Sequence, residues 1–355
     1  MLASKTCSAC GKKLPTADFN GSAKTADGLA GACRACTNAR RRERYGSGIE
    51  HPRGHARSTV IAAALRQGDT RSMRKLLRAG MERQWDWICE TMREGHLALA
   101  ETLLESGVRR NVFTMAAMGD VKRLANRLRR VPADAELKAN MEPASDQVTP
   151  LHVACASDWK SYGRERMAVQ VRVATILAEH GADLNAVARY RGIADATPLL
   201  CACWSSENVM LVRWLLDHGA AASQDCLAAA LGHLQRHGRA AYDIAETLLA
   251  SGLAIDRGAG TGRTLLEAFA HQGDHQTVAW LIAHGADVNA RSSSGRTALH
   301  YAAERNTGPR TLARLVEAGA DLTARDAEGR TPLEIARLND KPRLVEWIAR
   351  RVRGV

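Results

Sequence analysis

Cys7-Ser8-Ala9-Cys10 and Cys33-Arg34-Ala35-Cys36 place two Cys-x2-Cys pairs, separated by 22 residues, near the start of a 355-residue chain. Thiolates at this spacing converge on one ion in a tetrahedral set, and four of them favour zinc. Four sulfurs fill the coordination sphere and leave no position for an activated water. Cys7, Cys10, Cys33 and Cys36 are therefore expected to hold a structural Zn2+, whose apparent binding energy of roughly 10–16 kcal/mol doubles as folding energy. Leu14 and Phe19 are the sizeable apolar groups available to pad such a site, and Asp27-Gly28 marks a turn before the second pair.

Directly after Cys36, Thr37 or Asn38 can cap a helix whose first turns present Arg40, Arg41, Arg42 and Arg44. Guanidinium forks on a metal-anchored helix suit phosphate oxygens, so DNA or RNA is one expected partner of this head. The charge distribution agrees. The chain carries +12, and residues 1–58 alone, with 11 Lys+Arg against 4 Asp+Glu, carry +7. The structural alternative is a solvated helix that keeps the module soluble.

The rest of the chain is organised by repetition. Thr264-Leu265-Leu266-Glu267, Thr297-Ala298-Leu299-His300 and Thr331-Pro332-Leu333-Glu334 begin 33 and 34 residues apart. Each phrase starts a helix: threonine accepts free backbone N–H groups, and proline tolerates the next position because no bond is lost there. Apolar pairs such as Leu315-Val316 follow at helical spacing, and glycines such as Gly285 and Gly319 stop the second helix. Asp326-Ala327-Glu328-Gly329-Arg330 reads as the turn into the next unit. Nine second-helix signatures can be counted, the first three lacking the Thr-Pro-Leu-His phrase. A period of this length marks stacked units.

These phrases resemble the ankyrin repeat. The resemblance implies an all-α solenoid of about nine helix-pair repeats whose groove captures a protein partner. The head resembles small zinc modules of bacteriophage proteins, including the frame of recombination endonuclease VII and the wider HNH nucleases. That implies a zinc-ribbon or treble-clef-like fold over about 45 residues. In those nucleases an Asp-His pair lies between the cysteine pairs. Here no histidine precedes His51, so the base is missing and no catalysis is expected, although Asn38 stands near the family's asparagine.

The expected layout is a zinc module over residues 1–45, a linker over 46–58 and the repeat array over 59–355. Two insertions interrupt the array. One contains Trp159, Tyr162, Arg164 and Arg166, and the other, residues 187–196, contains Tyr190 between two arginines. Insertions in a solenoid map to loops, often on the binding face, and exposed aromatic residues anchor interfaces. Trp159, Tyr162, Tyr190 and Trp204, the last late in its helix, are thus the expected partner-binding residues, with local packing of Trp159 as the structural alternative.

Several other patterns are assigned no chemistry. His152 and His300 stand at the fourth place of the helix-start phrase, where a bond to neighbouring backbone is expected. His233 and His237 lack a third ligand, and Gly258-Ala259-Gly260 does not follow a strand. Cys89, Cys155, Cys201, Cys203 and Cys226 fall at small-residue positions of helices. A reduced, cytoplasmic setting is expected, with no membrane span. The overall expectation is a non-catalytic adaptor. Its rivals are a phage- or bacterium-encoded regulator of one host or defence protein, and a degenerate nuclease.

Overall fold

The computed structural model describes residues 4–6, 13–15, 19–21, 29–33, 52–79, 84–141, 145–159, 162–232, 239–257 and 262–354. The chain forms two compact units, Met1–Gln67 and Gly68–Val355. Among its described residues the first holds two antiparallel strand pairs. Strand β1 (Ser4–Thr6) pairs with β2 (Lys13–Pro15), and β3 (Phe19–Gly21) pairs with β4 (Leu29–Cys33). A helix, α1 (Pro52–Gln67), completes it. Residues 52–58, expected as linker, therefore open this helix; proline suits its first turn because it brings a helical φ and no N–H to be lost.

The second unit is mostly helical. It starts with α2 (Thr70–Arg78) and continues as helix pairs. These are α3 (Asp86–Arg93) with α4 (Leu97–Glu105), α5 (Val112–Ala117) with α6 (Val121–Arg130), and α7 (Pro150–Ala156) with α8 (Gly163–Glu179). Then come α9 (Pro198–Ser205) with α10 (Val209–Asp217), and α11 (Gln224–Gly232) with α12 (Arg239–Ala250). The last are α13 (Leu265–Gln272) with α14 (His275–Ala283), α15 (Ala298–Arg305) with α16 (Arg310–Glu317), and α17 (Pro332–Leu338) with α18 (Pro342–Val352). All nine second-helix signatures lie in helices, including the three degenerate ones.

The capping logic read from the sequence is present atom by atom. Thr149, Thr197, Thr264, Thr297 and Thr331 are N-caps with extended backbone. Gly285 (φ 89°) and Gly319 (φ 90°) follow α14 and α16 in the left-handed region, where a Cβ would be strained. Asp326 closes its turn by accepting the Arg330 N–H at 2.8 Å and the guanidinium at 2.9 and 3.0 Å. Burial works against that carboxylate's charge, but the Arg330 bonds hold its pKa down to about 2.

Packing runs along two rows. First helices α3, α5, α7, α9 and α11 lean on one another in order, as do α13, α15 and α17, while second helices α6, α8, α10 and α12 form a parallel row. Between the rows lie Ile88, Met92, Leu99, Leu103, Leu124, Leu128, Leu151, Leu177 and Leu199, all fully buried. At about 25 cal/mol per Å2 of apolar surface, this buried seam is the main stabilising term.

The all-α expectation needs correction. A four-stranded antiparallel sheet, β5 (Ala139–Met141), β6 (Ser145–Val148), β7 (Ala188–Tyr190) and β8 (Ile193–Ala196), projects from the pairs α5/α6 and α7/α8 in the order β5-β6-β7-β8. The insertion at residues 187–196 is thus a hairpin. Its two-residue turn, Arg191 (φ 51°) and Gly192 (φ 83°), has positive φ at both central positions, which matches the strand twist. Alternate burial along β7, with Ala188 and Tyr190 inside and Arg189 outside, is the period of a half-buried strand. The other insertion is mostly the N-terminal extension of α8, which carries Arg164 and Arg166 exposed.

Candidate protein-binding cleft

The β7–β8 hairpin bends back over α3. The Arg191 guanidinium donates to Glu90 Oε1 at 2.5 Å, and the Arg191 backbone N–H donates to Ser145 Oγ at 2.9 Å. Glu90 also receives Arg93 Nε at 3.2 Å and Arg93 Nη2 at 2.9 Å, and Arg93 makes a further ion pair with Glu94. Burial opposes ionisation of Glu90, but Arg93 and Arg191 outweigh it and hold the carboxyl below its ordinary value. The network ties the hairpin to α3 and to β6.

Between hairpin and α9 lies a cleft of about 260 Å3. Ile193, Ala196, Leu200 and Trp204 give it apolar walls, with Arg93 and Arg191 as its charged lining. Trp204, at the C-terminal turn of α9, is 37% exposed. Cys201 lines the cleft, but burial pushes its thiol well up, so it stays protonated and unreactive. Apolar walls, a half-open indole and fixed guanidinium groups suit capture of a side chain from a partner.

The structure separates the four aromatic residues expected at the partner surface. Trp204 is exposed at the cleft. Tyr190 is buried, 8% exposed, with burial raising its phenol pKa far above the usual range. Tyr162 is half-buried and structural: its hydroxyl accepts the Leu97 N–H at 3.0 Å and donates to the Gly95 carbonyl at 2.8 Å, serving as the cap that α4 lacks. Trp159 is 1% exposed, edge-on to Tyr162 at 6.0 Å with Arg166 over its ring. A Cβ on Gly119 would lie 3.4 Å from Trp159 Cζ2. Trp159 and Tyr190 are core groups, because each insertion folds its own aromatic inward; neither is an exposed anchor. Glu90, Arg93 and Ile193 were not foreseen as site residues. The Arg-Tyr-Arg run at 189–191 marked an insertion expected as a loop; neither its hairpin nor its ion-pair partner, 101 residues away in sequence, was legible there.

The histidines of the helix-start phrases are structural. His152 Nδ1 accepts from Thr149, and Nε2–H donates to the Ala196 carbonyl at 3.0 Å; His300 does the same with Thr297 and the Arg330 carbonyl. Burial lowers the His152 pKa to about 4 against the pull of these backbone bonds. Cys89, Cys155, Cys201, Cys203 and Cys226 are buried free thiols. Among the described residues no group of three His, Cys, Asp or Glu side chains is placed to hold a metal, and no helix is long and apolar enough to cross a membrane. Cys7, Cys10, Cys36, Arg40, Arg41, Arg42, Arg44, His233, His237 and Gly258-Ala259-Gly260 lie outside the described residues. Cys33 closes β4, but its side chain lies outside them as well.

Residues 236–326 match a family model for ankyrin repeats in three copies, and residues 146–189 match the model of a single ankyrin repeat. Solved ankyrin domains align with the chain. That of Bcl-3, described as a unique member of the IkappaB protein family, is 24% identical with a TM-score of 0.50, over 68% of this chain and 98% of that one. The human ASB11 ankyrin repeat domain is 26% identical over 64% of this chain and 92% of that one, with a TM-score of 0.47. Comparison with curated protein sequences gives no match. The matches cover the repeats within residues 146–189 and 236–326, and the Bcl-3 likeness supports a solenoid fold of stacked helix pairs.

Proposed function

We propose that this ankyrin-repeat array is the capturing half of a non-catalytic adaptor, with Trp204 as the anchor against its protein partner. Ankyrin repeats are interaction scaffolds, and the observation that carries the reading here is the preformed cleft beside Trp204. Its walls come from separate repeats and its hairpin is held by the Glu90–Arg191 pair, so little ordering remains to be done on binding. The partner groups that fit are an apolar side chain against Trp204 and an acceptor facing Arg93 and Arg191. Affinity capture with the full chain tests this: one stoichiometric protein, recovered by wild type and lost with Trp204→Ala, is the expected result.

The head completes the adaptor. Cys7, Cys10, Cys33 and Cys36 offer the full tetrahedral thiolate set for structural zinc. The metal would fix the fold of the small module and supply no reaction. Arg40, Arg41, Arg42 and Arg44 would then meet nucleic-acid phosphates. The support is the cysteine spacing and the local excess of positive charge. Capture repeated after nuclease treatment distinguishes a nucleic-acid contact from a second protein contact.

A further inference from the structure

Three successive first helices bury thiols: Cys155 on α7, Cys201 and Cys203 on α9, and Cys226 on α11. Helices α9 and α11 lean on one another, and across that contact the Cys203 S–H donates to the Cys226 sulfur. Two side chains joined in this way point at each other, which is the arrangement a disulfide needs. No metal accounts for the pairing. Among the described residues no group of three His, Cys, Asp or Glu side chains is placed to hold one.

Cys226 stands apart from the other thiols. It lies in the first turn of α11, under Ser223, which is exposed. The Ser223 hydroxyl donates to the Cys226 sulfur at 3.4 Å and accepts the Cys226 N–H at 3.3 Å. On this side the sulfur is one small side chain away from water. A helix start favours the thiolate form. The Cys203 bond holds the Cys226 pKa down to about 7 against burial, with the Ser223 bonds assisting. The other thiols go the opposite way. The Cys226 bond and burial push Cys203 up, and burial pushes up Cys155 and Cys201. An ionisable thiol beside a protonated one on the next helix is the layout of an attacking and a resolving cysteine.

We propose that Cys226 and Cys203 react with a hydroperoxide to form a reversible disulfide that staples two adjacent repeats. The Cys226 sulfur attacks the peroxide. An S–O bond forms, the O–O bond breaks, and the departing oxygen leaves with the Cys226 proton as an alcohol, or as water from hydrogen peroxide. The Cys203 sulfur then attacks the sulfenic acid. The S–S bond forms as the S–O bond breaks, and the hydroxyl leaves as water with the Cys203 proton. Two thiols lose one electron each, and one peroxide takes up both.

Peptide mapping of the full chain tests the assignment. The folded protein is treated with a small excess of hydrogen peroxide, its remaining thiols are alkylated, and the unreduced digest is read by mass spectrometry. The expected product is a peptide pair joined through Cys203 and Cys226, lighter by two hydrogens than the sum of its parts and separated by dithiothreitol. Cys201→Ala keeps the link and Cys203→Ala loses it, with circular dichroism unchanged in both. Alanine suits the second position, because Ala303 on α15 stands in the same place, six residues after its helix-start threonine, and is buried. The joined peptides are identified by sequence, so oxidation of Cys7, Cys10, Cys33 or Cys36 is read separately. Failure of the folded wild type to form the Cys203–Cys226 link, or a link made as readily through Cys201, overturns the proposal.

Discussion

Glu267 accepts the Thr264 N–H at 3.0 Å just as Glu334 accepts that of Thr331 at 2.7 Å, yet the two carboxyls are driven in opposite directions. Burial pushes Glu267 up to about 7, whereas the Thr331 bonds hold Glu334 below its ordinary value. The same letter in the same phrase differs because α15 covers α13, leaving Glu267 1% exposed, while Glu334 on α17 remains half-open to water. Where His152 and His300 occupy this place, a neutral ring both accepts and donates. An ionised Glu267 can only accept.

Glu267→Gln should therefore stabilise the fold at pH 8 by on the order of 1 kcal/mol. The folded-state pKa is raised, so the favourable neutral form is fully present below pH 4.5 and lost as pH rises through about 7. The gain from glutamine should shrink toward pH 5. Urea midpoints for wild type and variant at the two pH values check both the sign and the trend.

His152 works in the other direction. Its folded-state pKa is depressed from 6.5 to about 4, so its contribution is present above pH 6.5 and disappears as pH falls toward 4. Folding stability should drop by roughly 3 kcal/mol across that window from this residue alone. Two-dimensional NMR of the histidine rings should show His152 neutral at pH 5.5; a charged ring there would contradict the burial argument.

Trp159 and Trp204 should respond oppositely to truncation. Trp159→Ala removes a fully buried ring and should cost about 3–5 kcal/mol, read as a lower denaturation midpoint. Trp204→Ala should change stability by less than about 1 kcal/mol. Glu90→Ala should cost about 2–3 kcal/mol, because it leaves the Arg93 guanidinium, 8% exposed, short of its main partner and frees the hairpin.

For the head, Cys10→Ser should eliminate one equivalent of bound zinc by elemental analysis. If Arg40, Arg41, Arg42 and Arg44 each meet a phosphate, the logarithm of nucleic-acid affinity should fall against the logarithm of salt with a slope of roughly −3 to −4. A slope near zero would remove nucleic acid from the head's partners.

The repeats were legible because local rules suffice for them. Threonine caps, proline at the first helical position and a stopping glycine act within a few residues, so their spacing survives translation into structure. The four-stranded sheet was not legible, because β6 meets β7 across some forty residues of intervening repeat. Alternation over three residues is too short to announce a strand by itself. Trp159 and Trp204 show the same limit from the side of function. Both stand near the end of a first helix or just after it, and only the fold reveals that one is buried beside Gly119 while the other borders a cleft.

The most direct measurement is the Kd for the captured partner, compared between wild type, Trp204→Ala and Met210→Ala. Met210, on the second helix of the same repeat, is 54% exposed and lies outside the cleft lining. Loss of an anchor of about 2 kcal/mol or more should weaken binding at least thirtyfold for Trp204→Ala, with Met210→Ala within twofold of wild type. Unchanged binding with Trp204→Ala, or a larger loss with Met210→Ala, would contradict the account.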